Sequence, residues 1–440
     1  MQPKEVHISG DLSALNGQEI TLANIPNNFL DTLSIVDGKV NHTLEINEPF
    51  IAYLTAGKIR DYIYLEPGQD MTLSYDPILP QLSYSGQGSA ENNLLSEMGR
   101  MITETSQKNP IFTLASEKEA AFLLKVEEKY AGLSSHLDDN KSQVNSKLYN
   151  ILSKRIKAAK ASDMVNYPRY FSYVSKDSQD ISDNYYAFLN EIDHNDPELL
   201  SFEEGRSLGQ ALVEKDVDFA EIGSIDKYYQ ALFDQVGEKF ENQVVKDYYS
   251  YKYLSDKVNY GGGVDGVEDL ITAFYNSTDN DAYISRLKAL EAEWVNLKSG
   301  LQAPAFDGVT RDGKLVNIAD LKGKSVYVDV WATWCGPCIA EIPSLKEVEH
   351  DYQGKNVEFV SISIDNQKDR QKWEKFIEEK ELGGMQLFAN GDWSSDVVKS
   401  YNIKGIPRFI LIDAQGKIVK ADAPRPSNPQ LRELFGEIGI

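Results

Sequence analysis

Cysteine is nearly absent from this 440-residue chain. Only Cys335 and Cys338 occur, which excludes a scaffold built on several disulfides. Histidine is almost as scarce. None of His7, His42, His136, His194 and His350 forms a pair at the spacing needed to complete a four-ligand zinc site with two thiolates. Residue 339 is isoleucine, so the Cys-x-x-Cys-His of covalent haem attachment is excluded as well. Long apolar runs are missing: no segment approaches the ~18 uncharged residues of a membrane-spanning helix. Residues 1–15 lack the basic start and apolar centre of a signal peptide, which leaves two readings, a cytoplasmic protein or a mature form whose leader has been removed.

Positive charge is also in short supply. Forty-five Lys and Arg face 68 Asp and Glu, for a net charge of −23. The imbalance is local: residues 300–440 carry 18 basic and 21 acidic side chains, and the rest of the chain carries 27 and 47. Such an acidic front disfavours nucleic acid and anionic membrane surfaces as partners, and no nucleic acid partner is expected. It reads as a well-solvated surface, with steering of basic partners as the alternative.

The length implies two or three domains, and the pattern changes character twice. Residues 1–88 are β-rich, with short alternating runs such as Glu19-Ile20-Thr21-Leu22 and Thr32-Leu33-Ser34-Ile35. Asp37-Gly38 and Glu66-Pro67-Gly68-Gln69 supply turns, and the whole predicts a small antiparallel sandwich. Residues 89–299 are helical. Ser116-Glu117-Lys118-Glu119 fits a capping box, and breaks are expected at Tyr167-Pro168, Asp196-Pro197 and Gly261-Gly262-Gly263. Fifteen of the 24 tyrosines lie between Tyr149 and Tyr283, which suits interhelix packing first and a docking surface second. Ser299-Gly300 is the expected junction, and residues 300–440 read as one α/β domain with a mixed sheet and helices on both faces.

The two cysteines sit in that last domain, in Trp331-Ala332-Thr333-Trp334-Cys335-Gly336-Pro337-Cys338. An apolar strand pattern, Ser325 to Trp331, leads in, and a helical pattern with Ile339, Ile342, Leu345 and Val348 leads out. Strand, CxxC and helix together mark a redox-active dithiol. Amide groups at a helix N-terminus stabilise an anion, so Cys335 would ionise easily and act as nucleophile. Cys338, one turn in, would be the buried resolving thiol. Asp329 is a charge in an apolar strand. Burial would raise its pKa and suit it to accept the Cys338 proton; the bland reading is an Asp on a solvated face. Glu341 lies three residues after Cys338 on the same helix face, and its bland reading is an ordinary surface acid.

These residues resemble the thioredoxin superfamily, and within it the TlpA/ResA-type thiol–disulfide oxidoreductases of the bacterial envelope. The likeness covers about residues 301–440. It rests on Trp334-Cys335-Gly336-Pro337-Cys338, on Pro343 eight residues after Cys335, on Asp329 six before it, on Glu341, and on Gly405-Ile406-Pro407. Residues 1–88 resemble the β-rich domain of unknown function found ahead of bacterial thioredoxin-like domains.

The resemblance implies a thioredoxin fold at the C-terminus and an enzyme catalysing thiol–disulfide exchange. It also implies a cis peptide at Ile406–Pro407 beside the dithiol, leaving backbone there for a substrate peptide. Trp334, Gly336, Pro337, Ile406, Pro407 and Arg408 would then border the substrate. Arg408 departs from the family, in which a small polar residue usually follows the proline, and would place a fixed charge near the site. The Gly-Pro dipeptide implies a potential nearer thioredoxin's (~−270 mV) than the periplasmic oxidant's (~−120 mV), hence a reductase of protein disulfides. No cofactor beyond the Cys335–Cys338 disulfide is expected. The implied partners are protein disulfide or thiol clients and a membrane or thioredoxin-type electron donor, in a periplasmic setting with anchoring through a removed leader. An oxidant or isomerase is the alternative, as is a peptide- or protein-binding module in residues 1–299 with an ancillary redox domain.

Overall fold

The computed structural model describes residues 4–78, 81–177, 181–218 and 222–440. The chain divides into two compact units, Met1–Ile222 with Ala231–Tyr249, and Gly223–Gln230 with Ser250–Ile440. The helices that precede Gly300 from Ser250 onward therefore share a unit with the redox fold.

Among the described residues the first unit begins with eight strands: β1 (Lys4–Asp11), β2 (Glu19–Asn24), β3 (Phe29–Ser34), β4 (Lys39–Ile46), β5 (Phe50–Ala56), β6 (Ile59–Leu65), β7 (Asp70–Asp76) and β8 (Gln81–Gly86). They form two four-stranded sheets ordered β4-β1-β7-β8 and β3-β2-β5-β6. Val6 and Ile8, Ile20 and Leu22, and Met71 and Leu73 alternate into one shared core, as a sandwich requires. The expected antiparallel order is corrected in one pairing, since β1 runs parallel to β7, with Ile8 beside Met71. Alternation decides which face a residue takes; it does not decide which distant strand pairs, or in which direction. Asp37 and Gly38 both take positive φ, 52° and 76°, and Val36 and Lys39 exchange two backbone bonds across the turn. β3 and β4 then part into different sheets.

Two neighbouring asparagines close two sheet edges. On helix Ser89–Lys108, the Asn92 carboxamide accepts from Tyr64 N (2.7 Å) and donates to Tyr64 O (2.9 Å) of edge strand β6. Asn93 does the same to Tyr84 of edge strand β8, at 3.1 and 3.0 Å. Each side chain stands in for the missing strand. Tyr62 and Tyr64 of β6 turn from the sandwich into a second core with helices Ser89–Lys108, Glu119–Asp139 and Ser146–Ser175.

Two helix expectations are corrected here. Pro168 does not break its helix, which runs from Ser146 to Ser175. A proline leaves the carbonyl four residues earlier without its donor; that carbonyl, Met164 O, accepts instead from the Tyr185 hydroxyl at 2.8 Å. The capping box at Ser116 does not form either. The helix starts at Glu119 without a side-chain cap, and the Glu119 carboxylate is taken by Ser182 N and Oγ, at 2.8 and 2.6 Å. The Gly261 break is real: helix Gln243–Tyr260 stops there.

In the second unit, the described residues form a seven-stranded mixed sheet from β9 (Asp307–Val309), β10 (Leu315–Asn317), β11 (Ser325–Trp331), β12 (Val357–Ser363), β13 (Met385–Phe388), β14 (Arg408–Ile412) and β15 (Ile418–Lys420), ordered β10-β9-β13-β12-β11-β14-β15. β11, β12 and β13 are parallel, and β14 runs antiparallel to β11. Central β11 is buried nearly throughout because both of its faces are covered, which is why it reads as an apolar run. Tyr327, Phe359, Phe409 and Leu411 share a core with Leu345 and Val348 of helix Gly336–Asp351 and with Leu431 and Phe435 of helix Gln430–Glu437. Among the described residues, no helix is long and apolar enough to cross a membrane.

Candidate active site

Strand β11 ends at Trp331 and the next helix begins at Gly336, so Ala332 to Cys335 form a short loop at the carboxyl end of the central strand. Cys335 is the N-cap of that helix. Its Sγ accepts a hydrogen bond from Cys338 N at 3.2 Å, and the two cysteines are joined in a disulfide. Sulfur charge on Cys335 would therefore face helix amide groups, where an anion is favoured. Sequence reasoning expects an accessible Cys335 over a buried Cys338. In the disulfide both are covered almost equally, 4% and 5% exposed. Gly336 and Pro337 are exposed between them.

The loop is held by a residue that no sequence motif marks. Asp365, fully buried just past β12, accepts from Thr333 N (2.9 Å), Thr333 Oγ1 (2.7 Å) and Ser363 Oγ (2.7 Å). Two of these bonds end on the residue two before Cys335, so Asp365 fixes how the dithiol leaves the strand. Nothing local in the sequence links residues 333 and 365; the parallel pairing of β11 with β12 brings them together.

Below the disulfide, Asp329, Trp331, Cys338, Ile342, Glu349 and Ser361 line a narrow pocket. Asp329 retains some solvent contact, but protein crowds its carboxyl. Loss of hydration pushes its pKa up to about 8. A hydrogen bond with Ser361, its partner across β12, opposes the rise, and the charges of Glu349 and Glu341 add to it. Glu349, also missed from sequence, is itself pushed up to about 6 by burial, against the pull of Lys346.

Glu341 points elsewhere. Its carboxylate accepts from Ser427 N and Oγ at 3.0 and 2.9 Å, tying the dithiol helix to the loop after β15, and it reaches Asp329 only through its charge. The Ile406–Pro407 bond is cis. Because Arg408 pairs with Val330 in antiparallel register, Pro407 lies at the end of β11 from which the dithiol loop departs. Arg408 itself turns inward, against expectation. It is 3% exposed, with Nε 3.5 Å from Asp422 Oδ1 and its guanidinium 5.5 Å from the Trp294 ring centre. Burial beside an aromatic ring and a counter-charge removes it from any substrate-facing surface. Trp334 is 52% exposed and lies 6.3 Å, ring to ring, from Trp393, which is 43% exposed. Trp393 is thus a second exposed aromatic beside the dithiol that no motif marked. Among the described residues, no group of three or more His, Cys, Asp or Glu side chains is placed to hold a metal ion.

A family model described as Redoxin matches residues 298–434. The chain is similar to the thiol–disulfide oxidoreductase ResA of Bacillus thuringiensis subsp. konkukian, with 29% identity over 142 residues, 32% of this chain and 79% of the relative. It is similar to the ResA of Geobacillus thermodenitrificans, with 31% identity over 121 residues, 28% of this chain and 67% of the relative. Among solved structures it is similar to the thioredoxin domain of a thiol–disulfide oxidoreductase from Bacteroides vulgatus, with 32% identity, 32% of this chain, 99% of that one and a TM-score of 0.30.

Proposed function

Starting from the chain's membership, through its C-terminal third, of the TlpA/ResA-type branch of the thioredoxin superfamily, we propose that it is a reductase of protein disulfides. The activity in its coarse form, thiol–disulfide oxidoreductase, is that of the family. The observation that supports the finer reading is the Cys-Gly-Pro-Cys disulfide at a helix N-terminus, above a pocket holding an acid whose pKa lies in the thiol range.

In this mechanism Cys335 thiolate attacks one sulfur of a client disulfide, and the other leaves as a thiolate that takes a proton from water. Cys338 then gives its proton to Asp329 in its carboxylate form, which is the minor form at pH 7 and makes up half of the total near pH 8. An acid near 8 and a thiol near its usual ~8.5 exchange a proton with little difference in free energy. Cys338 thiolate attacks Cys335 Sγ, the mixed disulfide breaks, and the second client sulfur departs with its electron pair. Two electrons have passed to the client, and the Cys335–Cys338 disulfide remains. An external thiol donor, of membrane or thioredoxin type, reduces it again. No cofactor enters.

Trp334, Gly336, Pro337 and the backbone at Ile406–Pro407 form the proposed client contact, and Trp393 joins them. Glu341 supports the helix and adds negative charge near Asp329. Periplasmic residence with lipid anchoring belongs to the same reading and draws on the family resemblance alone.

Equilibrium titration of the full chain in defined thiol–disulfide buffers tests the direction. A potential at or below about −200 mV supports a reductase; one above about −150 mV replaces it with an oxidant or isomerase.

A further inference from the structure

The pocket beneath Cys338 contains an acid that the exchange steps above leave unused. Glu349 lies on the dithiol helix eleven residues past Cys338 and lines the pocket with Cys338, Asp329 and Ser361. Its carboxylate rests against two glycines: a Cβ on Gly383 would come within 2.5 Å of Glu349 Oε2, and one on Gly384 within 2.9 Å of Oε1. Gly384 has φ +60°, so the turn itself favours glycine. Both glycines are exposed, which puts the carboxylate where the pocket meets solvent, while Asp329 sits further in, on the central strand. Trp331 Nε1 and Gln386 Oε1 are buried without a hydrogen-bond partner in the protein.

Several charged or titratable groups face this pair. Lys346 stands one turn back on the same helix, with Nζ donating to Lys380 O at 2.5 Å, and draws the Glu349 pKa down. Asp329 from β11, with Ser361 from β12, meets Glu349 across the pocket, and Glu341 acts on Asp329 from the start of the helix. Trp331, Ile342, Leu345, Leu382, Gly383 and Gln386 form the remaining wall and carry no charge.

We propose that Glu349 is the proton exit of the resolving step: the proton that Asp329 takes from Cys338 reaches solvent through the Glu349 carboxylate. Asp329 carboxylic acid gives the proton to Glu349 carboxylate, and Glu349 carboxylic acid gives it to water or buffer at the Gly383–Gly384 mouth. Both acids return to their starting state, and no oxidant or reductant beyond client and dithiol takes part. The pKa values of about 8 and about 6 bracket neutrality, so at pH 7 Glu349 is chiefly ionised and open to a proton. Glu349 acts on the sulfurs only through Asp329, which makes it a positioning residue of the reaction.

This inference rests on the exchange mechanism proposed above. The test mixes the reduced full chain with a peptide disulfide carrying a fluorophore and a quencher, one on each side of the disulfide, and resolves formation of the Cys335 adduct from release of the second thiol. Glu349→Gln should form the adduct at the wild-type rate and release it about 10-fold more slowly or worse at pH 6–8. Added imidazole or formate should restore much of the loss, and Glu349→Asp should keep most of the wild-type rate. Release unchanged in Glu349→Gln from pH 5 to 9 overturns the relay. So does slow release that neither small buffers nor Glu349→Asp relieve, because that pattern marks a packing defect. If the wild type forms no adduct, the exchange mechanism itself is wrong.

Discussion

Arg155 and Asp329 are both ionisable side chains set against a core, one in each unit, and they are treated in opposite ways. Arg155 is buried with its counter-charge. It makes a two-pronged pair with Glu204, at 3.1 and 2.9 Å, and its guanidinium sits 4.8 and 4.6 Å from the rings of Tyr62 and Phe202. Lys129 in the same unit is likewise matched by Asp163 at 2.8 Å. In the second unit Arg408 has Asp422, and buried Lys257 has Asp226 at 3.2 Å. Asp329 is the exception. Its neighbours across the pocket are a serine and another acid, and among the described residues it makes no ion pair. A matched pair fixes geometry and leaves both groups charged. An unmatched carboxyl keeps a raised pKa, which is of use where a proton must move. The contrast separates buried charge that holds the fold from buried charge that does chemistry.

The comparison can be broken at either end. The largest effect is expected at the sulfur: Cys335→Ala should lower exchange turnover at least ~10³-fold without moving the thermal unfolding of the first unit. Next, Arg155→Ala should destabilise the first unit by about 3–5 kcal/mol, because it strands Glu204 in the core. Urea unfolding followed by circular dichroism would show it, and adduct formation at Cys335 per folded molecule should not change. A loss of chemistry there would make Arg155 more than structural.

Asp329→Asn should show the opposite sign. In the folded chain Asp329 holds its proton up to about pH 8, whereas in the unfolded chain it loses it near ~3.9. The native state thus binds more protons between those values, and this group lowers stability as pH rises through that window. The asparagine variant should therefore match wild type near pH 4 and gain on it by about 1.4 kcal/mol per pH unit, to roughly 5 kcal/mol at pH 8, while resolving mixed disulfides about 100-fold more slowly. Equal pH dependence of unfolding in the two proteins would show that Asp329 is not held protonated. The smallest effect is expected of Tyr185→Phe, which leaves Met164 O without a donor and should cost about 1–2 kcal/mol in the first unit alone, read by the same urea transition.

What could be read from the sequence was what is contiguous in it. The strand, the CxxC and the helix follow one another, and so do Ile406, Pro407 and the strand after them. Asp329 was legible because a lone charge in the apolar run Val326 to Val330 has few bland explanations. Asp365 and Trp393 were not, since each joins the site only through sheet pairing or chain crossover; Glu349 lies three turns along the same helix face as Cys338 but reads locally as an ordinary surface acid. Arg408 was misread because adjacency to Pro407 was taken for proximity to substrate, whereas strand geometry together with Asp422 and Trp294 draws it inward. Pro168 was misread for the reverse reason: its local penalty is real, but a tyrosine seventeen residues on in the chain relieves it.

The most direct test of the central claim is covalent. With Cys338 replaced by serine, the reduced full chain should form a mixed disulfide with a disulfide-bonded protein or peptide, seen as a mass increase that maps to Cys335 and is released by dithiothreitol. Absence of that adduct, at a concentration of client that wild type reduces, would contradict the assignment of Cys335 as the attacking thiol.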